Sequence, residues 1–144
     1  MAALDALARR DHASEDLRRK LLEKGYDEAV VVPLLDALRN EKLLDDRRYT
    51  ENFVAYHAAR GQGPVRVREE LRRHGLKGAL VEECLDAFPD WIVQLRKARQ
   101  KKFGAQLPAA YADRQRQARF LGYRGFTSAQ IRMALGLDID LDAD

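Results

Sequence analysis

Leu71-Arg72-Arg73-His74-Gly75-Leu76 is one of three versions of the same phrase in this chain. Fifty residues before it stands Leu21-Leu22-Glu23-Lys24-Gly25-Tyr26, and fifty residues after it stands Leu121-Gly122-Tyr123-Arg124-Gly125-Phe126. Each version has a leucine, two variable residues, a basic or imidazole side chain, a glycine and a large apolar residue. The register continues on both sides without a gap. Leu17 aligns with Val67, although the third copy has Gln117. Ala29, Ala79 and Ala129 align, then Val31, Val81 and Ile131, then Leu35, Leu85 and Leu135. A fixed period of this length marks repeated supersecondary units.

The physics of one copy is readable. Leu17, Leu21 and Leu22 fall on one face of a helix. Gly25 follows where a left-handed cap is expected, a conformation that only glycine adopts cheaply. Tyr26 is expected to fold back over the last turn, and Asp27 to cap the next helix. The unit is a helical hairpin with a glycine hinge.

Working outward, helices are expected over residues 2–10, with Leu4, Leu7 and Ala8 inward, and after Ser14 as a cap. Another covers 27–40, bent at Pro33. Val30-Val31-Val32-Pro33 has strand propensity, but its counterpart Leu80-Val81-Glu82-Glu83 is helical in pattern, and the repeat decides for helix. Asp45 or Asp46 caps a helix over 47–60, with Tyr49, Phe53 and Tyr56 or His57 inward. Pro64 opens one over 64–74, with Val67 and Leu71 inward, and another covers 78–88. Pro89-Asp90 leads into a helix with Trp91, Leu95 and Ala98 on one face. The last two cover 109–122 and, capped by Thr127 or Ser128, a stretch ending near Gly136. The expected fold is all-α: three tandem three-helix repeats (1–44, 45–88 and 89–137) forming an elongated curved array. Residues 138–144 read as an acidic, mobile tail without periodicity.

The 144 residues carry 26 Lys/Arg and 23 Asp/Glu, and the imbalance is local. Between Trp91 and Arg132 ten basic residues face Asp113 alone, and four of the last seven residues are aspartates. A basic block of this kind suits a polyanion or an acidic protein surface. The sequence has no apolar run that would span a bilayer, and Arg9, Arg10 and Asp11 interrupt any signal-peptide core. The single cysteine, Cys84, aligns with Leu34 and Ala134, and reads as a core residue in a reducing cytosol.

No catalytic constellation stands out. His12, His57 and His74 are scattered singly, without metal-ligand spacing to each other or to Cys84. Neither a P-loop nor a dinucleotide fingerprint nor a nucleophile elbow is present. An enzyme is therefore not expected, nor is a cofactor or a metal. A helix-turn-helix reader of DNA bases needs basic and amide side chains on its second helix. Asp36, and then Glu82, Glu83 and Asp86, oppose that in the first two repeats. Only Ser128, Gln130 and Arg132 in the third suit it. The arginines sit mostly on the helices before each glycine, which fits a basic groove better than three base readers. A free-standing single-strand binder would need aromatic platforms, for which Tyr111, Tyr123 and Phe126 are available. A purely structural interaction module fits poorly with so basic a stretch.

Four passages resemble the RecX regulatory protein family across nearly the whole chain. They are Leu7-Ala8-Arg9-Arg10 with Asp16-Leu17-Arg18-Arg19-Lys20-Leu21; Leu44-Asp45-Asp46-Arg47-Arg48-Tyr49 through Phe53-Val54; Arg60-Gly61-Gln62-Gly63-Pro64-Val65-Arg66-Val67-Arg68-Glu69-Glu70-Leu71; and Ala118-Arg119-Phe120-Leu121-Gly122-Tyr123-Arg124-Gly125-Phe126. The last two are the specific ones. The resemblance implies a cytoplasmic, non-enzymatic modulator of the RecA recombinase. Such a protein binds the RecA filament on single-stranded DNA, inhibits its extension, and depresses its ATPase and coprotease activities. A monomer with at most weak direct DNA binding is expected. On charge, the expected contacts to RecA or DNA are Arg60, Arg66, Arg68, Arg72 and Arg73 in the second repeat. In the third they are Lys97, Arg99, Lys101, Lys102, Arg116, Arg119 and Arg124.

Overall fold

The computed structural model describes residues 2–9 and 11–141. Among them the chain forms nine helices and no strand: α1 (Ala2–Arg9), α2 (Ser14–Glu23), α3 (Glu28–Asn40), α4 (Asp46–Ala59), α5 (Pro64–Arg73), α6 (Ala79–Ala87), α7 (Trp91–Phe103), α8 (Tyr111–Tyr123) and α9 (Ser128–Leu135). The all-α expectation holds, and α3 runs through Pro33.

The three glycine turns close in one way. Gly25, Gly75 and Gly125 have φ of +96°, +75° and +98°. The N–H after each glycine donates to the leucine carbonyl five residues back: Tyr26 to Leu21, Leu76 to Leu71 and Phe126 to Leu121, at 3.2, 3.0 and 3.1 Å. The glycine N–H itself donates to the carbonyl three residues back. These are the two bonds of a Schellman turn, which satisfies the last carbonyls of the helix. The aligned positions are core. Leu21, Leu71 and Leu121 are at most 2 % exposed, and Val31, Val81 and Ile131 are each 1 % exposed.

The chain divides into two compact units, Met1–Phe53 with Glu70–Cys84, and Val54–Glu69 with Leu85–Asp144. Helices α4, α5 and α6 contribute residues to both.

In the first unit Ala3, Ala6, Leu17, Leu21, Val31, Leu35, Leu38 and Leu44 form one core. Helix α1 turns Ala3 and Ala6 inward and packs the half-buried Leu7 against the same core, as expected for Leu7, while Leu4, also expected inward, is exposed. Small residues let α1 lie close on α2. The side chain of Ala8, and Arg10, lie outside the described residues. Ser14 is the first helical residue, not a side-chain cap. Its N–H donates to Asp46 Oδ1 at 2.8 Å, so the cap comes from α4. Asp45 caps α4 itself, accepting from the Arg48 N–H at 3.0 Å. The fully buried residue of α4 here is Thr50, whose hydroxyl donates to the Asp46 carbonyl. Tyr49 and Phe53 are half-buried, with ring centroids 5.9 and 5.5 Å from His74. Cys84 is buried as expected, and desolvation pushes its thiol pKa up, which keeps it in the unreactive form.

The Gly75 turn lies on α2. His74 Nδ1 is 2.5 Å from Asp16 Oδ2, and Arg19 Nη2 donates to the Arg73 carbonyl at 3.0 Å. A Cβ on Gly75 would stand 2.5 Å from the Cβ of Glu15, whereas one on Gly25 would meet nothing within 4 Å. Gly25→Ala should therefore cost only the left-handed strain, about 1 kcal/mol. Gly75→Ala should add an overpacking penalty of about 1–3 kcal/mol. Urea melts of the two variants check this; equal losses would show that α2 does not seal the second turn.

In the second unit α7, α8 and α9 pack on one another around Leu95, Leu121, Ile131 and Leu135. The Trp91 indole N–H donates to the Leu85 carbonyl at 2.9 Å. From α4, Val54 and Ala58 are buried while Tyr56 is exposed and His57 half-buried, so small residues hold positions expected for rings. Thr127 caps α9 in a reciprocal box with Gln130.

The third glycine turn receives the start of α5. Gly63 N–H donates to the Arg124 carbonyl at 2.8 Å, and Val65 N–H to the Gly125 carbonyl at 2.9 Å. Pro64 between them has no N–H to leave unsatisfied. A positive helix start thus meets the carbonyls of a helix end.

The tail differs from expectation over residues 138–140. Ile139 is 2 % exposed. Arg114 holds the Asp138 carboxylate with two hydrogen bonds, at 2.6 and 2.9 Å, and the Leu135 carbonyl at 3.1 Å. The Gln115 amide both donates to and accepts from the Asp140 backbone. Buried side-chain and paired backbone groups replace the free segment that composition suggested. Residues 142–144 lie outside the described residues.

Candidate functional site

Within the second unit, the end of α4, one face of α7 and the end of α8 enclose an open cleft of about 370 Å³. Its cations are Arg60, Lys97, Lys101, Lys102 and Arg124, and no carboxylate lines it. None of the five makes an ion pair among the described residues. Lys97 and Lys101 are four apart on α7, so they project from one face.

Aromatic rings, not acids, support these charges. Arg124 lies 5.5 Å and Lys102 5.9 Å from the Phe120 centroid. Phe103 packs edge-on against the same ring at 5.3 Å. Arg60 stacks 4.3 Å above Tyr56. A ring face attracts a cation without neutralising it, so the charge is oriented and stays available. Arg124 Nε is buried and has no hydrogen-bond partner among the described residues. Gly61, with φ +84°, closes one wall next to Arg124.

Five of the twelve cations expected from sequence thus converge. The others are placed differently. Arg99 is 2 % exposed. Its guanidinium donates to Gln117 Oε1 and to the carbonyls of Ala105 and Gln106, at 3.2–3.4 Å. This corrects the expectation for Arg99: it clamps the loop after α7 and cannot reach a partner. Gln117, which interrupts the apolar column of Leu17 and Val67, is its buried acceptor. Arg116 is exposed and 3.5 Å from Asp113. Arg119 is exposed and lines a second cleft with Tyr123, Ser128, Asp140 and Leu141. Along α5, Arg66 and Arg68 are half-buried and Arg72 and Arg73 are exposed.

Two of the three residues in the base-reading set of the third repeat are committed elsewhere, and Ser128 is exposed. Gln130 closes the α9 capping box, and Arg132 Nε donates to the Ile139 carbonyl at 3.2 Å. Of the aromatic platforms, Phe126 is buried, while Tyr111 and Tyr123 are exposed. Of the rings that do accompany the cleft, Tyr56 was expected to face the core and Phe120 was not assigned a role from sequence. Their signal was a ring in the last turn of a helix with an arginine four residues on, just past the helix end: Tyr56 with Arg60 and Phe120 with Arg124. Among the described residues no group of three or more His, Cys, Asp or Glu could hold a metal ion, and no helix is long and apolar enough to cross a membrane.

Comparison with known proteins agrees with this architecture. Residues 1–38, 45–85 and 92–135 match the first, second and third three-helix domains of RecX. Regulatory protein RecX of Halorhodospira halophila is 47 % identical over 134 residues, covering 92 % of this chain and 83 % of that protein. Its namesake from Ectopseudomonas mendocina is 43 % identical over 139 residues, covering 95 % and 93 %. The crystal structure of RecX from Lactobacillus salivarius superposes with a TM-score of 0.78 at 19 % identity, covering 92 % of this chain and 88 % of that one. A second RecX crystal structure gives 0.73 at 24 % identity, covering 92 % and 68 %. With three matched domains in order and this identity over nearly its full length, the chain belongs to the RecX regulatory protein family.

Proposed function

We propose that this protein is a cytoplasmic modulator of the RecA recombinase, acting in recombination, DNA repair and the SOS response. It binds the RecA filament on single-stranded DNA, blocks its extension and lowers its ATPase and coprotease activities, without chemistry of its own. Family membership supports the partner. The observation that carries the mode of binding is the cleft of Arg60, Lys97, Lys101, Lys102 and Arg124, five cations without a lining acid. Such a cleft attracts phosphates or acidic loops through released counterions and long-range field.

A second reading is direct binding of naked single strands. It draws on Tyr56 and Phe120 beside the cations, since rings next to a basic groove suit unstacked bases.

RecA's DNA-dependent ATPase, titrated with this protein on single-stranded DNA at moderate salt, tests the proposal. Inhibition at substoichiometric protein is the expected result and points to filament ends over sequestration of DNA. No inhibition, with tight binding to free strands, would favour the second reading.

A further inference from the structure

Three features of the basic cleft discriminate among anionic ligands. The first is convergence. Arg60, Lys97, Lys101, Lys102 and Arg124 surround one space of about 370 Å³, a volume within the range of small-molecule sites, about 300–1,000 Å³. The second is uncompensated charge. Lys97 and Lys101 are four apart on α7, a spacing at which like charges repel, and no carboxylate lines the cleft among the described residues. The fold thus holds a repulsion that a bound anion relieves. The third is orientation. Arg60 lies on Tyr56 and Arg124 on Phe120, and Arg124 Nε is buried. Cations already held by rings lose less side-chain freedom when a ligand arrives.

Charge density then favours one kind of ligand. A nucleic-acid strand brings one charge per nucleotide. An extended acidic peptide presents carboxylates on one face about 6.6 Å apart. Either puts few charges into so small a space. An oligophosphate, whose consecutive phosphoryl groups share bridging oxygens, concentrates several there. Its oxygens suit the forked guanidinium of arginine and the point charge of lysine alike. We propose that the cleft is a site for a compact oligophosphate, the anhydride-linked chain present in nucleoside triphosphates and in inorganic polyphosphate. The inference rests on reading the cleft as an anion-binding site, and needs nothing from RecA as the partner.

The test is isothermal titration calorimetry of the full chain with sodium tripolyphosphate at physiological ionic strength. Saturable binding is expected, at least about tenfold tighter than for orthophosphate, the gain from one or more further charge-assisted contacts. Lys97→Gln with Lys101→Gln should weaken tripolyphosphate binding about tenfold or more. Arg116→Gln, which alters an exposed cation outside the cleft, should leave it unchanged. Tripolyphosphate should also raise the melting temperature of the unaltered protein, and raise that of the double variant less. Tripolyphosphate binding no tighter than orthophosphate, or equal losses in the two variants, would overturn the inference. ATP without magnesium separates the sources. Tighter binding than tripolyphosphate identifies a nucleotide, weaker binding identifies inorganic polyphosphate, and equal binding leaves recognition to the phosphates alone. If tripolyphosphate binds while Lys97→Glu with Lys101→Glu keeps full affinity for the RecA filament, the inference stands and the filament is contacted elsewhere. Filament affinity lost in that variant, with no tripolyphosphate binding by the unaltered protein, would overturn the inference alone.

Discussion

Gly63→Ala should destabilise the protein by about 3–5 kcal/mol, the largest loss expected from a single added methyl group. A Cβ at this position would run into the carbonyl carbon of Gly125 and the nitrogen of Phe126. Both are backbone, so no side chain can swing aside. Overpacking costs about 1–3 kcal/mol. Moving the strands of chain apart also stretches the Gly63–Arg124 and Val65–Gly125 hydrogen bonds, each worth about 0.5–1.5 kcal/mol. Gly125→Ala should be comparable, because its Cβ would meet the backbone of Arg66 and its φ is +98°. Urea unfolding followed by far-ultraviolet circular dichroism reads both. A loss near 1 kcal/mol at Gly63 would mean that the joint yields.

The second large effect is on binding. Lys97→Glu with Lys101→Glu places two acids in a cleft that now has none. Two phosphate contacts are removed and two repulsions added, so affinity for the RecA filament should fall on the order of a hundredfold. The slope of log affinity against log salt should drop by about two. Both side chains are exposed, so the melting temperature should stay within a degree or two. Arg116→Glu serves as the comparison. It is an exposed cation already facing Asp113 and outside the cleft, and should change affinity little. Equal losses from the double change and from Arg116→Glu would reduce the cleft to a share of overall charge.

Much of this was legible in the sequence because the repeat supplied internal controls. The strand-like Val30-Val31-Val32-Pro33 was assigned to a helix by its partner Leu80-Val81-Glu82-Glu83, and α3 shows that reading to be right. The left-handed glycines followed from spacing alone. Three kinds of feature were not legible. Small inward residues were missed in favour of larger ones, as with Ala3 and Ala6 against Leu4, and Val54 and Ala58 against Tyr56. Size signals the energy of burial, whereas close helix approach selects for its absence. Long-range satisfaction was also hidden. Asp46 caps Ser14 from 32 residues away, and Arg99 finds Gln117 across a loop. Charge counting placed Arg99 with Lys97 and Lys101, although one step along a helix turns a side chain through 100°. The segment after α9 looked free because its aspartates masked a single buried isoleucine.

The turns also give the chain a direction. The Gly75 turn rests on α2 and the Gly125 turn on the start of α5, whereas the Gly25 turn has open space around it. Each seal is made against chain that lies earlier in the sequence. During synthesis at about 5–20 residues per second, the surface that receives each turn leaves the ribosome roughly 3–12 s before the turn itself. Neither seal has to wait for a later segment, and a nascent chain stopped after its second turn already holds both sides of its first joint. The protein is built to be assembled from its beginning, one closed joint at a time.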